Sequence, residues 1–175
     1  MPEQIPCLWF DREAEQAAEH YTAIFPNSEI LSVSRYGPDR PEREREVMTV
    51  EFSLDGRRYV ALNGGPQFPF TEAVSFQIHC ADQDEVDHYW GRLTEGGEPG
   101  PCGWLKDRYG LSWQVVPVRL FELVGDPDPE RSQRATQAML TMKKIIIADL
   151  ERAADAVPAA GDAPSPSPSP SRAER

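Results

Sequence analysis

The feature that most limits the possible folds of this chain is one order of elements that occurs twice between residues 4 and 118. In each half a strand is followed by a helix and then by three strands, the order βαβββ. The first half is predicted to contain strands at Ile5–Phe10, Glu29–Tyr36, Val47–Leu54 and Arg58–Asn63, with a helix at Glu13–Phe25. The second half is predicted to contain strands at Val74–Cys80, Pro99–Pro101, Gly103–Lys106 and Leu111–Val116, with a helix at Gln83–Leu93. One such unit cannot bury both faces of its own sheet, so the two copies are expected to pack together in an α+β fold.

Turn and capping residues support the predicted ends of these helices and strands. Asp11 and Asp82 are predicted to cap the two helices, since a carboxylate accepts hydrogen bonds from the first free backbone N–H groups. Asp55-Gly56 predicts a hairpin between the third and fourth strands. A short repeat, Glu19-His20-Tyr21 in the first helix and Asp87-His88-Tyr89 in the second, adds weak support for a duplication.

The C-terminal third is predicted to be helical and then unstructured. Asp126-Pro127-Asp128 is a helix-start pattern, and Ile145–Ala154 carries apolar residues at helical spacing. The final segment alternates Pro and Ser and cannot bury apolar area, so we predict a disordered tail without a role in the fold. A polyproline segment that binds a partner is the alternative. The predicted divisions are 4–118 for the paired modules (4–66 and 73–118), 119–155 for a C-terminal helical extension and 156–175 for the tail.

Charge, targeting segments and cysteine spacing indicate the partners, location and thiol state to expect. The formal net charge is −11, and an acidic surface repels nucleic-acid phosphates and anionic lipids. Neither a secretory signal nor an apolar stretch long enough to span a membrane is recognisable, so a cytoplasmic location is predicted. The three cysteines are widely spaced and no CxxC occurs, which favours reduced thiols.

A polar row on a strand predicted to be central is the best indication of a pocket. Ser75, Gln77 and His79 face one side of their strand, because alternate side chains point to opposite faces. A buried polar row is costly unless its members are hydrogen-bonded or line a wet cavity. Internal pairing, or a position on an open face, is the alternative explanation.

Further polar and aromatic side chains recur on the other inner strands, a composition that suits a small-molecule cavity with few polar anchors. Aromatic stripes are also the ordinary content of a core. The candidate ligand-binding residues are Cys7, Trp9, Asn63, Ser75, Gln77, His79, Trp104, Trp113 and Gln114.

Among the titratable side chains, His79 is the candidate for a catalytic role, as the one histidine predicted on a strand. His20 and His88 lie within helices and are predicted to be partly exposed helix residues. Cys7 and Cys80 are predicted to be buried apolar thiols rather than nucleophiles. A single histidine without His or carboxylate companions makes a poor metal site.

Several motifs now carry a family resemblance. The longest is the segment from Cys102 to Pro117, CGWLKDRYGLSWQVVP, and shorter ones are IPCLWFD from Ile5, FPNS from Phe25 and ALNGG from Ala61. Residues 4–154 resemble the PhnB-like branch of the vicinal oxygen chelate superfamily, which has the glyoxalase and bleomycin-resistance fold and is often labelled 3-demethylubiquinone-9 3-methyltransferase-like. The resemblance implies paired βαβββ modules whose curved sheets enclose a cavity, in a homodimer.

The resemblance also implies where a metal would be held. Metal-dependent members of the superfamily place His and Glu on inner strands. The corresponding positions here are Gln4 or Pro6, Asn63, Ser75 and Gln114. Neutral amides and a hydroxyl are weak ligands for a divalent transition metal, so no metal or other cofactor is predicted, and a divalent metal is the disfavoured alternative. Methyltransferase activity is not favoured, because no segment resembles the Gly-rich strand-to-helix turn of common methyl-donor folds.

Three functions follow from these observations. The first is a metal-free protein that binds a small organic molecule between its modules. The second is an enzyme of the same superfamily, an isomerase, dioxygenase or lyase, in which His79 shuttles a proton while Gln114 and Asn63 orient the substrate; the family label adds methyltransferase to these alternatives. The third is an interaction protein whose C-terminal helices form a dimer clasp.

Overall fold

In the computed structural model, which describes residues 2–156, eight strands form two four-stranded sheets and five helices pack against them. The elements of the first module are β1 (Cys7–Phe10), α1 (Ala14–Thr22), β2 (Glu29–Arg35), β3 (Val47–Leu54) and β4 (Arg57–Asn63). Those of the second are β5 (Ser75–Cys80), α2 (Gln83–Thr94), β6 (Glu98–Pro99), β7 (Trp104–Lys106) and β8 (Ser112–Pro117). The chain continues into α3 (Val118–Val124), α4 (Pro129–Thr141) and α5 (Ile147–Ala154).

The two sheets have the same topology. Their strand orders are β1-β4-β3-β2 and β5-β8-β7-β6, and in each the first strand pairs in parallel with the last strand of its own module. The other pairings are antiparallel. Asp55 and Gly56 both have positive φ angles, 45° and 74°, as a tight hairpin turn between β3 and β4 requires. The predicted duplication and α+β fold class are confirmed, whereas the numerical division of the chain into domains stays a prediction.

The predicted cap of the first helix is wrong. α1 begins at Ala14, and its N-cap residue, which is Glu13 rather than Asp11, makes no side-chain capping bond. The cap comes from Asn63 instead, whose Oδ1 accepts the backbone N–H of Ala14 at 2.8 Å. This is geometrically simple because β4 lies beside β1 and ends next to the start of α1. The cap of α2 is confirmed, since Asp82 accepts the N–H of Glu85 at 2.9 Å.

Both modules contribute to one apolar core. Tyr21 of α1 packs against Trp113 of β8, with ring centroids 5.6 Å apart. Tyr59 of β4 meets Phe76 of β5 at 5.6 Å in an edge-to-face contact. Such pairs add stability beyond the area they bury, so they hold the two modules in one arrangement.

The C-terminal helices have an apolar cluster of their own, which includes Leu123, Ile145 and Leu150. α3 follows β8 without a loop and was not predicted, because its seven residues are too short to show a clear helical period. Backbone bonds from Cys102 N to Met142 O (2.8 Å) and from Gly103 N to Lys143 O (2.7 Å) attach this cluster to the second module. The predicted Pro/Ser tail lies outside the described residues except for Ala156. No helix within residues 2–156 has the length and apolarity needed to cross a membrane.

Candidate functional site

An open pocket of about 740 Å³, hereafter the cavity, is lined by residues of both modules. The first module contributes the end of α1 and the β3–β4 hairpin, through Phe25, Pro26, Leu54, Asp55, Arg57 and Tyr59. The second contributes β5, α2 and β8, through Ser75, Phe76, Gln77, Ile78, His79, Glu85, Tyr89 and Trp113. Side chains from both faces of β5 border the cavity, because β5 is the edge strand of its sheet.

Four polar side chains on β5 and β8 form a continuous hydrogen-bonded row, hereafter the polar row. Gln114 Nε2 donates to Ser75 Oγ at 2.7 Å, and Gln77 Nε2 donates to Gln114 Oε1 at 2.9 Å. His79 Nε2 lies 3.2 Å from Gln77 Oε1. The parallel register of the two strands, which places Gln77 beside Gln114, makes this row geometrically natural.

The polar row has a direction. An amide oxygen can only accept, so His79 Nε2 carries the hydrogen of its bond to Gln77. In the neutral ring, Nδ1 is then an acceptor that the row does not use, while at the other end the Ser75 hydroxyl accepts from Gln114 and keeps its own hydrogen to donate. The row therefore offers one acceptor and one donor at opposite ends.

The two alternative explanations for this row, internal pairing and a position on an open face, are both observed. Its members pair with one another, and they also remain open to solvent: Gln77 and His79 are exposed, while Ser75 and Gln114 are half-buried. The His79 ring also packs edge-to-face on Phe121 of α3, with centroids 5.1 Å apart. The imidazole is thus oriented by one hydrogen bond and one aromatic contact.

The remaining candidate residues lie elsewhere. Trp113 is buried and borders the cavity from the core side. Asn63 is buried on the helix side of the first sheet, where it also donates to Val47 O at 3.0 Å. Cys7 and Trp9 lie on the opposite face of that sheet, and Trp104 lines a different pocket. The structure therefore brings together Ser75, Gln77, His79 and Gln114, while Trp113 faces the other side of β8, and a ligand-binding role for all nine residues stays a prediction.

The prediction of a buried thiol is confirmed for Cys80 and wrong for Cys7. Cys80 is buried, and burial, the largest cause, raises the pKa of its thiol to about 12, with Glu85 and Asp82 adding to the shift. It is therefore a poor nucleophile at neutral pH. Cys7 was expected to be buried but is exposed, because it lies on the open face of the edge strand β1. The prediction of partly exposed helical histidines is confirmed for His20 and His88.

Asp107 is an important residue that the sequence patterns did not single out. Its carboxylate is 3% exposed and accepts four hydrogen bonds. Oδ2 accepts from Tyr21 Oη at 2.7 Å and from Trp113 Nε1 at 2.9 Å, while Oδ1 accepts from the backbone N–H groups of Tyr109 and Leu111. Burial and this carboxylate raise the pKa of Tyr21 well above its ordinary value, so Tyr21 stays a donor. Asp107 thereby joins the modules and holds Trp113 at the cavity wall.

The residues present do not fit the divalent metal that the superfamily suggests. Among residues 2–156 there is no group of three or more His, Cys, Asp or Glu side chains that could hold an ion. Ser75 and Gln114 do come together, but they are bonded to each other. Asn63 is committed to the first turn of α1 and to β3. Neutral donors that are already paired make a poor site for a transition metal.

The comparisons with known proteins agree with this architecture. The sequence profile of the 3-demethylubiquinone-9 3-methyltransferase family matches residues 2–116. A structure described as a putative 3-demethylubiquinone-9 3-methyltransferase, PhnB protein, from Bacillus cereus is 31% identical, with a TM-score of 0.59 over 67% of this chain and 100% of that one. Protein PA1353 from Pseudomonas aeruginosa is 19% identical, with a TM-score of 0.56 over 67% of this chain and 98% of that one, and shows the shared fold.

No curated protein matches the chain. The profile match covers more than half of the chain, and the Bacillus cereus relative is matched over its whole length. The chain therefore belongs to the 3-demethylubiquinone-9 3-methyltransferase family, the PhnB-like branch of the vicinal oxygen chelate superfamily.

Proposed function

We propose that this protein binds a small organic molecule in the cavity between its two modules, without a catalytic metal. The observation that carries this proposal is the polar row of Ser75, Gln114, Gln77 and His79, of which Ser75, Gln77 and His79 line a cavity of about 740 Å³. Known ligand sites combine mostly apolar walls with a few well-placed polar groups. Aromatic side chains from both modules, such as Phe25, Tyr59 and Tyr89, supply the apolar part here, although most of the cavity surface is polar.

The polar row would orient such a ligand at two points. The Ser75 hydroxyl can donate to a ligand oxygen, and His79 Nδ1 can accept from a ligand hydroxyl or amide. Because the row is already ordered by its internal bonds, few side-chain rotamers remain to be fixed on binding, which lowers the entropic cost of association. Arg57, Asp55 and Glu85 bring charges of both signs to the same cavity.

An enzyme of the superfamily is the second candidate, and the orientation of His79 favours it. A histidine held by Gln77 and Phe121 is suited to proton transfer at a bound substrate. The methyltransferase activity in the family name is a further alternative, which calorimetric titration with S-adenosylmethionine tests directly. The enzyme is favoured if the wild type turns over a substrate and His79→Gln abolishes turnover while ligand affinity is retained.

A thermal-shift screen tests the binding proposal. A metabolite at 100 times its dissociation constant is expected to add about 2.7 kcal/mol of stability. Gln77→Ala interrupts the polar row and is expected to reduce this shift. Gln137→Ala, the same change at an exposed position on α4, should leave it unchanged.

Two results would contradict the binding proposal. One is a flat response to broad panels of metabolites and metals. The other is a hit whose stabilisation is the same in wild type and Gln77→Ala. A stoichiometric divalent metal in the purified protein, found by elemental analysis, would contradict the metal-free part alone.

We also propose that the protein is a homodimer. β2 is an edge strand, and all seven of its residues are exposed. Ile30, Leu31 and Val33 expose between 36% and 44% of their surface there. A long apolar edge strand exposes unpaired backbone groups, and a second copy of the chain can cover it.

A further inference from the structure

A second pocket, of about 380 Å³, lies on the open face of the second sheet at the opposite end from β5. Its walls are Trp104, Pro99 and Pro101, and Ser112 lies in it. It shares no lining residue with the cavity between the modules. We call it the β6–β8 pocket, and the proposed function does not use it.

Ser112 is the first indication that the β6–β8 pocket is built to hold something. Its side chain is on the pocket side of β8 and the residue is 1% exposed. Its Oγ has no hydrogen-bond partner among residues 2–156. The neighbouring hydroxyl of Ser75 already accepts from Gln114. A buried hydroxyl without a partner loses about 1–3 kcal/mol of solvation, so a ligand atom that bonds to it gains an unusually favourable contact.

The charges at the mouth of the pocket indicate the kind of ligand. Lys106 Nζ lies 2.6 Å from Glu72 Oε1, so its charge is already balanced. Glu98 stands opposite Lys106 in the β6–β7 register and forms no ion pair within the described part of the chain. The pocket therefore has two carboxylates for one ammonium group, which favours a cation over an anion.

The Trp104 indole completes this set of groups. Two prolines and an indole form an apolar wall next to the carboxylates. An organic ammonium group near an indole face gains a cation–π contribution in addition to its attraction to carboxylates. Ser112 lies on the strand next to Trp104, so a ligand with an apolar middle can reach all three features.

We propose that the β6–β8 pocket binds a small organic amine. The ammonium group contacts Glu98 and Glu72, the apolar part packs on Trp104 and a hydroxyl or carbonyl at the far end bonds to the Ser112 hydroxyl. This assignment is independent of the ligand proposed between the modules, since the two sites share no lining residue.

Titration calorimetry with three aromatic probes tests the inference. Tyramine has both the ammonium and the distal hydroxyl, phenethylamine lacks the hydroxyl, and 4-hydroxyphenylacetate replaces the ammonium by a carboxylate. We expect tyramine to bind most tightly and the carboxylate not to bind. Glu98→Gln is expected to weaken tyramine about fivefold, the effect of one partly exposed ion pair. Glu44→Gln, in the exposed loop before β3, is the matched control and should change nothing.

Ser112→Ala separates the hydroxyl contact from a folding defect. The variant removes an unpaired buried group, so we expect it to be at least as stable as the wild type while tyramine loses its advantage over phenethylamine. Equal binding of the carboxylate probe, or tyramine binding that Glu98→Gln leaves unchanged, would overturn the inference. So would loss of tyramine binding in Gln77→Ala, which would place the amine in the cavity between the modules.

Discussion

Single residues decide how the two modules are joined, and Asp107 is the clearest case. A buried carboxylate without a cation is tolerated here because four neutral donors surround it, two side chains and two backbone N–H groups. The donors come from α1, from the turn after β7 and from β8. The carboxylate therefore holds three parts of the chain in one place, including the Trp113 ring at the cavity wall.

We expect Asp107→Asn to destabilise the protein by about 3 kcal/mol, because Tyr21 and Trp113 would both lose their acceptor in a buried site. Urea denaturation followed by tryptophan fluorescence measures this change. Asp39→Asn, in the exposed loop after β2, is the control and should stay near the wild type. A loss for Asp107→Asn no larger than that of the control would show that Asp107 does not hold the modules together.

Features of single residues could be predicted where they depend on neighbouring residues in the sequence, and could not where they depend on distant ones. The alternation of polar and apolar residues along β5 is local, so the common face of Ser75, Gln77 and His79 could be read from the sequence. The partners of Asp107 are up to 86 positions away. A tightly turning Asp-x-Tyr-Gly segment before a strand was the available signal for a turn, but it carries no information about Tyr21.

Among the elements, the motifs that carry the family resemblance explain how the modules are built. In the ALNGG segment, Asn63 caps α1, Gly65 O accepts from Trp9 Nε1 at 2.8 Å, and a Cβ at Gly64 would lie 2.1 Å from the Trp9 ring. Asn63 and Gly65 are thus explained by hydrogen bonds, and Gly64 by its close contact with the Trp9 ring. The strand bounds were therefore predictable from periodicity, while the cap of α1 was not, because β4 delivers it from 49 residues away.

Asn63→Ala is expected to cost about 2 kcal/mol of stability, since Ala14 N–H and Val47 C=O would both lose a buried partner. Thermal and urea unfolding monitored by circular dichroism measure the loss. Gln16→Ala, at an exposed site on α1, removes a polar side chain without removing a cap and should be neutral or slightly stabilising. An Asn63→Ala variant that is as stable as the wild type but has lost ligand binding would contradict this structural role.

At the scale of the whole molecule, the proposed dimer has two candidate contact surfaces. The edge of β2 exposes Leu31 and Val33, while the helical extension exposes Leu140, which is 62% accessible. The first surface supports pairing through sheet edges and the second supports the helical clasp. The resemblance implied a dimer but did not indicate which surface forms it, because both surfaces are apolar and both lie outside the shared core.

We expect the double variant Leu31→Lys, Val33→Lys to be monomeric in size-exclusion chromatography with light scattering, because charged side chains on an edge strand oppose pairing. Leu140→Lys is the matched control and should remain dimeric. The reverse pattern, a monomer only for Leu140→Lys, would assign the dimer contact to the helical clasp. A wild-type monomer at high protein concentration would contradict the dimer itself.

The parallel pairing of the first and last strands of each module has a consequence for biosynthesis. β5 has only β8 as a neighbour, so its backbone groups cannot be paired until Ser112–Pro117 has left the ribosome. Ser75–Cys80 remains unpaired in the nascent chain while the intervening helix and two short strands are synthesised. Its apolar and polar side chains are exposed during that time. β1 waits even longer, because Cys7 pairs with Val60 on β4, so both parallel-paired edge strands are segments where a chaperone would be expected to bind during translation.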